Sequence, residues 1–273
     1  MAIQLKLHTK PDVPVEAFNI NTNIFAKLSN TKISSLLVMH GNVKAEIGDF
    51  FKVSGKQNNK IVLTGNLKNI KHVGTAMSHG EILIKGNIGS HVGAEMSGGK
   101  IVVEGNAADW VAPGISGGQI IVKGNAGHCI GTAYRGAHIG ITGGEIVIHG
   151  NAKNEVGGGM RNGVIAVGGS CGDFAGVNMK AGSIFLLGET GIRAGAGMER
   201  GTIAMMRQPE LLPTFSYDCV YRPIYLRIYL MYLKNLGLKI EDKKIVGNYM
   251  RWSGDSVELN RGEILVFTPP EIA

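Results

Sequence analysis

The sequence has few aromatic side chains, which make up 6% of its 273 residues, and three cysteines. Cys129, Cys171 and Cys219 are far apart, odd in number and form no CxxC pair, which argues against a disulfide framework or a zinc ribbon. No uncharged apolar run approaches the ~18 residues of a membrane span, and the amino terminus lacks the apolar segment of a signal peptide. We therefore expect a cytoplasmic protein.

Runs of one charge are also absent. The net charge of +7 is scattered along the chain, so nucleic-acid binding is a minor alternative, and a basic subunit facing acidic partner subunits explains the charge equally well. Glycine, in contrast, is abundant, with 41 residues, where average composition gives roughly 19. Because each interior glycine costs a helix about 1 kcal/mol, this excess favours short strands and many turns.

A 13-residue unit with the pattern G-x-x-M-x-x-G-x-I-x-[IV]-x-G recurs along the middle of the chain. Its copies occupy residues 74–86, 93–105, 112–124, 138–150, 157–169, 176–188 and 195–207. Successive copies start 19 residues apart, except for one step of 26 that indicates a seven-residue insertion near Ala133 to Ala137. Gly131 and Tyr134 also fit the pattern, so the sequence leaves the placement of the insertion open.

The second half of each copy has β-branched residues at alternate positions between glycines, which predicts a short strand followed by a turn. One copy cannot bury its apolar face alone, whereas stacked copies can, because each strand then pairs with its equivalent in the next coil. The sequence therefore predicts an all-β fold, a parallel, right-handed β-helix of about seven or more coils.

Three sets of equivalent residues have structural explanations. An internal apolar column is expected from Met77, Met96, Ile115, Ile141, Met160, Met179 and Met198. A glycine column indicates positive φ or close backbone approach, and comprises Gly80, Gly99, Gly118, Gly144, Gly163, Gly182 and Gly201. A ladder of turn residues is expected from the asparagines that follow glycine, namely Asn66, Asn87, Asn106, Asn125 and Asn151.

The two ends of the chain depart from the repeat. We predict an N-terminal β cap at residues 1–39, the β-helix at residues 40–207 and a tail at residues 208–273, with a helix at about 223–236. That helix has almost no polar face, which indicates burial. Tyrosines at positions 217, 221, 225 and 229 recur every four residues. Packing of the helix along the coils and a subunit interface explain this tail equally well.

We assign no residue a catalytic, cofactor-binding or metal-binding role. Ser116 lies in a G-x-S-x-G match, but Ser78 and Ser97 share its repeat position, so a turn serine explains it better than a nucleophile. P-loop, HExxH and GxGxxG motifs are absent.

His72 and His91 are one period apart, and Trp110 and Cys129 continue their column. A His/His/Cys zinc site is the alternative to a structural column here. The structural column is favoured, because no supporting carboxylate is evident.

The repeat resembles that of the C subunits of formylmethanofuran dehydrogenase from methanogenic archaea, and more broadly the glycine-rich β-helical domain of the glutamate synthase large subunit. Arg251-Trp-Ser-Gly-Asp255 and Arg261-Gly-Glu-Ile-Leu265 are similar to the ending of the C-subunit family. The resemblance covers roughly residues 40–267. It implies a subunit of a cytoplasmic multi-subunit oxidoreductase that reduces CO2 and forms N-formylmethanofuran at the start of methanogenesis.

In the family that this resemblance points to, other subunits hold the chemistry. The implied partners are of three kinds: a subunit with a molybdenum or tungsten pterin, a zinc-containing amidohydrolase-like subunit, and iron–sulfur subunits. The resemblance implies no catalytic residue for this chain. The alternative is a glutamate synthase-type β-helical domain that shapes an ammonia path, although the chain lacks glutaminase and flavin-barrel domains. A β-helical acyltransferase is disfavoured, because its hexapeptide repeats give coils of about 18 residues.

Overall fold

The computed structural model describes residues 2–56 and 58–269. Strands dominate and helices are few, which confirms the all-β class. The elements in chain order are β1 (Ile3–Leu7), β2 (Val15–Glu16), α1 (Thr22–Phe25), α2 (Asn30–Ser34), β3 (Leu37–His40), β4 (Val43–Glu46), α3 (Ile47–Phe50), β5 (Phe51–Ser54), β6 (Lys60–Thr64), β7 (Ile70–Lys71), β8 (Glu81–Lys85), β9 (Lys100–Val103), β10 (Gln119–Val122), β11 (Thr142–Ile148), β12 (Asn162–Val167), β13 (Ser183–Leu186), β14 (Arg200–Met205), β15 (Ser216–Tyr221), α4 (Ile224–Asn235), α5 (Asp242–Ile245), β16 (Asn248–Gly254) and β17 (Arg261–Thr268).

Most strands of the described chain form one mixed sheet of 13 strands. Its order is β15-β16-β17-β14-β13-β12-β11-β10-β9-β8-β6-β1-β5. Every neighbouring pair from β17 to β1 is parallel. Strand β5 at one edge, and β16 and β15 at the other, pair antiparallel. A second sheet has the order β4-β3-β2-β7.

The repeat sets the register of the parallel run. Equivalent residues of successive copies are direct neighbours, so that Ile82 pairs with Ile101 and Ile101 with Ile120. The same pairing extends through a single column of isoleucines, none more than 1% exposed: Ile3, Ile61, Ile82, Ile101, Ile120, Ile146, Ile165, Ile184, Ile203 and Ile264. This column and the predicted methionine column, which is also fully buried, belong to one core cluster.

The glycine column has the backbone conformation that its recurrence predicts. All seven members have positive φ, between +78° and +102°. A Cβ at Gly99 would lie 2.5 Å from Met77 Cε and 2.8 Å from the Gly80 carbonyl oxygen, so both conformation and space exclude a side chain there.

The asparagine ladder is formed by hydrogen bonds from backbone to side chain. The Oδ1 atoms of Asn87, Asn106, Asn125 and Asn151 each accept a hydrogen bond from the backbone N–H of the equivalent residue in the next copy. The distances are 2.8 Å from Asn106 N to Asn87, 2.7 Å from Asn125 N to Asn106 and 2.8 Å from Asn151 N to Asn125. The ladder therefore ties side chain to backbone and satisfies turn donors that strands leave unpaired.

The structure places the insertion between Gly131 and Ile141. Nine residues separate these two, where two separate Gly74 from Met77. Gly131 N donates to Val111 O and has φ +64°, as expected of the first position of a copy. The fourth copy is therefore in phase from Ile141 onward, with Gly131 rather than His138 at its start.

Both ends of the chain contribute strands to the parallel run. Strand β1, within the predicted cap, pairs parallel with β6, and β17, within the predicted tail, pairs parallel with β14. Met1 and residues 270–273 of these predicted segments lie outside the described residues. The division into cap, β-helix and tail stays a prediction.

The predicted tail helix is α4. Pro223 precedes it, and Gly237 with φ +95° follows its end, where Leu238 N donates to Leu233 O. The expectation that this helix is buried all round is wrong. Leu226, Leu230 and Leu233 pack against the sheet, whereas the opposite side of α4 is exposed.

The four-residue tyrosine spacing does not mark one helix face. Tyr217 and Tyr221 lie on strand β15, and only Tyr225 and Tyr229 lie on α4. The spacing is therefore shared between two elements of different geometry.

Candidate functional site

One position of each copy holds a residue in the left-handed conformation at a corner of the chain. Its φ values lie between +60° and +64°, and its members are His72, His91, Trp110, Cys129, Glu155, Phe174 and Arg193. The backbone N–H groups of the first six members donate to a carbonyl one copy further on, as from His91 to Asp109 O at 3.1 Å. The corner thus presents a row of side chains in neighbouring copies, separated by about 4.8 Å of strand spacing.

The first members of this row form an aromatic stack. The ring centroids of His72 and His91 are 4.4 Å apart with an interplanar angle of 5°, and those of His91 and Trp110 are 6.1 Å apart. Phe18 extends the stack beyond His72 at 4.1 Å. Tyr134 lies 5.1 Å from Trp110, and its hydroxyl is 2.9 Å from His91 Nδ1. The inserted residues therefore supply a side chain that covers the stack.

Burial, followed by coulombic repulsion from His91 and Lys71, lowers the pKa of His72 to about 4. Burial, with Lys71, also lowers the pKa of His91, against the opposing effect of Glu16 and Asp109. Both imidazoles are consequently neutral at pH 7.

The column does not have the geometry of a zinc site at its histidines. The nitrogen lone pairs of two parallel, stacked rings lie in two separate parallel planes, whereas the ligands of one ion must converge on it. Burial, followed by the Glu155 charge, raises the pKa of Cys129 to about 11, so its thiol is protonated. Cys129 Sγ donates to Glu155 Oε2 at 3.7 Å. Within residues 2–56 and 58–269, no three His, Cys, Asp or Glu side chains are arranged to hold a metal ion.

A cavity of about 340 Å³ lies between the inserted residues and the neighbouring corners. Its lining includes Arg135, Glu155, Lys180, Glu199 and Glu258. Lys180 and Glu199 form an ion pair across adjacent copies. The cavity is polar and carries charges of both signs, which does not select one class of ligand.

Ser116 lies on an exposed turn. It precedes strand β10, and no helix follows it directly, so the G-x-S-x-G match lacks the strand–helix context of a nucleophile elbow. The structure supports a turn serine.

Sequence reasoning identified His72, His91, Trp110 and Cys129 as one column. It missed Phe18 and Tyr134, which come from outside the repeat. Glu155 was also missed as a member of this column, although the 26-residue step caused by the insertion leads from Cys129 to Glu155.

Helix α4 has 12 residues and is the longest helix of the part that the structure describes. None of the helices in that part has the length and apolar character needed to cross a bilayer.

Comparisons with known proteins identify relatives. The family model called GXGXG motif matches residues 68–216. The C subunit of the tungsten-containing formylmethanofuran dehydrogenase 2 of Methanothermobacter thermautotrophicus is 43% identical over 84 residues, which cover 29% of this chain and 31% of the relative. The C subunit of the molybdenum-containing formylmethanofuran dehydrogenase 1 of Methanothermobacter marburgensis is 35% identical over 79 residues, covering 28% of this chain and 20% of the relative. These matches span less than a third of the curated relatives.

A solved structure matches over nearly the whole chain. It is the crystal structure of the formyltransferase/hydrolase complex from Methylorubrum extorquens in complex with methylofuran. One of its chains superposes with a TM-score of 0.91 and 32% sequence identity, and the match covers 97% of this chain and 100% of that one.

Proposed function

This chain belongs to the GXGXG motif family and is related to the C subunits of formylmethanofuran dehydrogenases, and we propose that it is the scaffold subunit of a formylmethanofuran dehydrogenase complex. The observation that carries this proposal is the end-to-end structural match to a chain of a multi-subunit formyl-transferring complex. The match covers 97% of this chain and 100% of the other, so the similarity extends beyond the repeat.

We propose that the copies wind as a right-handed parallel β-helix. In support, copies stack through their turns as well as their strands: Leu67 bridges Ile88 and Ile88 bridges Ala107 in parallel, and Gly93 N donates to Val73 O at 2.9 Å. Successive copies therefore contact each other on more than one side, as expected when each copy is one coil of a β-helix.

The catalytic chemistry of the complex is assigned to its other subunits. The complex reduces CO2 and attaches the formyl group to methanofuran, with a molybdenum or tungsten pterin, iron–sulfur clusters and zinc held by the pterin-metal, iron–sulfur and amidohydrolase-like subunits. The residues of this chain do not fit an iron–sulfur cluster, which takes four thiolates. Its three cysteines are unpaired and range from buried to exposed, which also suits a reducing cytoplasm.

A second candidate is the same scaffold role in a formyltransferase/hydrolase complex. The full-length match favours it, because the curated dehydrogenase relatives match over shorter segments. The two candidates differ in whether the complex contains a molybdenum or tungsten subunit.

Affinity purification of the tagged full-length chain from its native source tests both candidates. Co-purifying subunits are identified by mass, bound molybdenum and tungsten are measured, and the preparation is assayed for methanofuran-dependent formyl formation. Metal together with that activity supports the dehydrogenase, whereas formyl transfer and hydrolysis without metal support the second candidate. Recovery of the chain alone as a stable monomer would refute both.

A further inference from the structure

The outer side of α4 is apolar and exposed. Three leucines of this helix pack on the sheet, whereas Ile224 is 78% exposed, Ile228 70% and Met231 46%. These three follow one another at spacings of four and three residues, so they lie on one face. A surface helix normally turns polar residues to water on this face. The α4 face, as we call Ile224, Ile228 and Met231, therefore has the composition of a covered surface.

The chain segment that carries the α4 face has charged residues of one sign only. Between Asp218 and Glu241 the chain has four cationic residues, Arg222, Arg227, Lys234 and Lys239, and no carboxylate. Lys234 is paired with Asp242 at 2.7 Å. For Arg222 and Arg227, no carboxylate of the described chain comes within ion-pair distance. The apolar face is thus bordered by positive charge that the chain itself leaves uncompensated.

A hollow at the start of the helix joins these features. It has a volume of about 310 Å³ and is lined by Arg222, Pro223, Ile224, Arg227 and Ile245. A hollow lined by apolar side chains and two arginines fits an inserted apolar side chain with carboxylates beside it, because arginine binds carboxylates in a forked geometry.

The helix is held firmly on the sheet. Tyr225 donates through its hydroxyl to Glu263 Oε1 at 2.8 Å, and Tyr232 donates to Glu145 Oε2 at 2.9 Å. These bonds lie in the first and the last turn of α4, so both ends of the helix are fixed and the α4 face is presented in one orientation. A fixed surface loses little conformational entropy when it binds.

We propose that the α4 face is the docking site for a partner subunit that places an apolar side chain in the hollow and acidic side chains against Arg222 and Arg227. This inference rests on the proposed scaffold function and adds the chemistry of the partner surface. A second copy of this chain does not fit, because a twofold contact between identical faces would set the cations against each other. A concave hollow also suits a protruding side chain better than a flat bilayer.

Co-purification with the tagged full-length chain, expressed together with the remaining subunits, tests the docking site. Two variants alter it: Ile228→Asp places a charge in the apolar row, and the double variant Arg222→Glu/Arg227→Glu reverses the rim. Val43→Asp is the matched control, since Val43 is 62% exposed on β4 of the other sheet. Thermal unfolding of each purified chain verifies that the fold is retained, as expected for exposed positions.

We expect both α4 variants to recover at least tenfold less partner subunit per tagged chain, and Val43→Asp to stay within twofold of the wild type. Raising the salt concentration should weaken partner binding by the wild type more than by Arg222→Ala/Arg227→Ala. Recovery of partners by the α4 variants at wild-type levels would overturn the docking site alone. A wild-type chain that recovers no partner would overturn the proposed function instead.

Two further measurements address the other occupants of this face. If the isolated wild-type chain sediments as a dimer that Ile228→Asp abolishes, a second copy covers the face and the proposal is wrong. Binding of the wild type, but not of Ile228→Asp, to anionic phospholipid vesicles would likewise overturn it. Monomeric behaviour without vesicle binding supports a partner subunit.

Discussion

Replacement of Gly99 by valine tests the stacking geometry most directly. Gly99 has φ +84°, a conformation that costs a β-branched residue about 1–3 kcal/mol. A Cβ there would also lie 2.5 Å from Met77 Cε and 2.8 Å from Gly80 O. Met77 can move its terminal methyl, but the Gly80 carbonyl is fixed, because it accepts the backbone hydrogen bond of Lys100 at 2.9 Å. Overpacking of this kind adds about 1–3 kcal/mol.

The two contributions together predict that Gly99→Val lowers the free energy of unfolding by about 4 kcal/mol, a large part of the 5–15 kcal/mol typical of a domain. Gly136→Val separates them. Gly136 has φ +88°, but no atom lies within 4 Å of its added Cβ. This control therefore bears the conformational strain alone and should lose no more than about 1–3 kcal/mol.

Denaturant unfolding of the full chain, followed by circular dichroism, measures the difference between the two variants. Because stacked repeats can unfold in parts, hydrogen exchange at Lys100 and its neighbours should report the loss locally. Equal losses in the two variants would show that close approach at Gly99 is unimportant. Unchanged stability of Gly99→Val would refute the requirement for glycine in this column.

Three further predictions concern the ladder, the helix and the corner column. Asn125→Ala removes the acceptor of the Asn151 N–H and should lower the free energy of unfolding by about 1 kcal/mol. Asn125→Asp keeps an acceptor and should lower it by less. Equal losses in the two variants would refute the ladder. Leu230→Ala, at a fully buried position of α4, should cost about 2–5 kcal/mol by denaturant unfolding, and Ile228→Ala, on the exposed side, less than about 0.5 kcal/mol. Since the pKa of His72 is lowered to about 4 from its ordinary 6.5, the unfolded chain binds its proton more readily, and stability should fall as pH drops from about 6.5 to 4. His72→Asn removes this titration, so its stability should depend less on pH over that range than that of the wild type.

The repeat made most of the strand register predictable. Isoleucine, methionine and glycine recur at fixed spacing, and only in-register stacking brings each set together. Strand β17 carried the same signal, because Gly262-Glu-Ile-Leu-Val266 matches the second half of the unit, with Gly262 beside Met198. Arg261 of β17 pairs with Arg200 but follows it by 61 residues, which is far from the 19-residue period, so the period did not reveal the match.

Features from outside the repeat could not be predicted in this way. Apolar and polar residues alternate from Ile3 to Leu7, which indicates strand β1, but its partner β6 is far along the chain, and alternation does not identify a partner strand. Tyr134 reaches the aromatic stack from an insertion whose path no periodicity constrains. For α4, apolar composition indicated coverage but could not distinguish coverage by the sheet from coverage by another protein.

The sheet itself determines where α4 lies. Strands buried on both faces are apolar at consecutive positions, whereas strands buried on one face alternate. At the outward position of successive copies, Leu83 and Val102 are half-buried, but Val147 and Phe185 are fully covered, with Phe185 5.4 Å from the ring of Tyr229. The later copies are thus covered by the helix and the earlier ones are not. The sheet covers only the leucine side of α4 and leaves the isoleucines on the other side exposed, which is where the proposed partner surface binds.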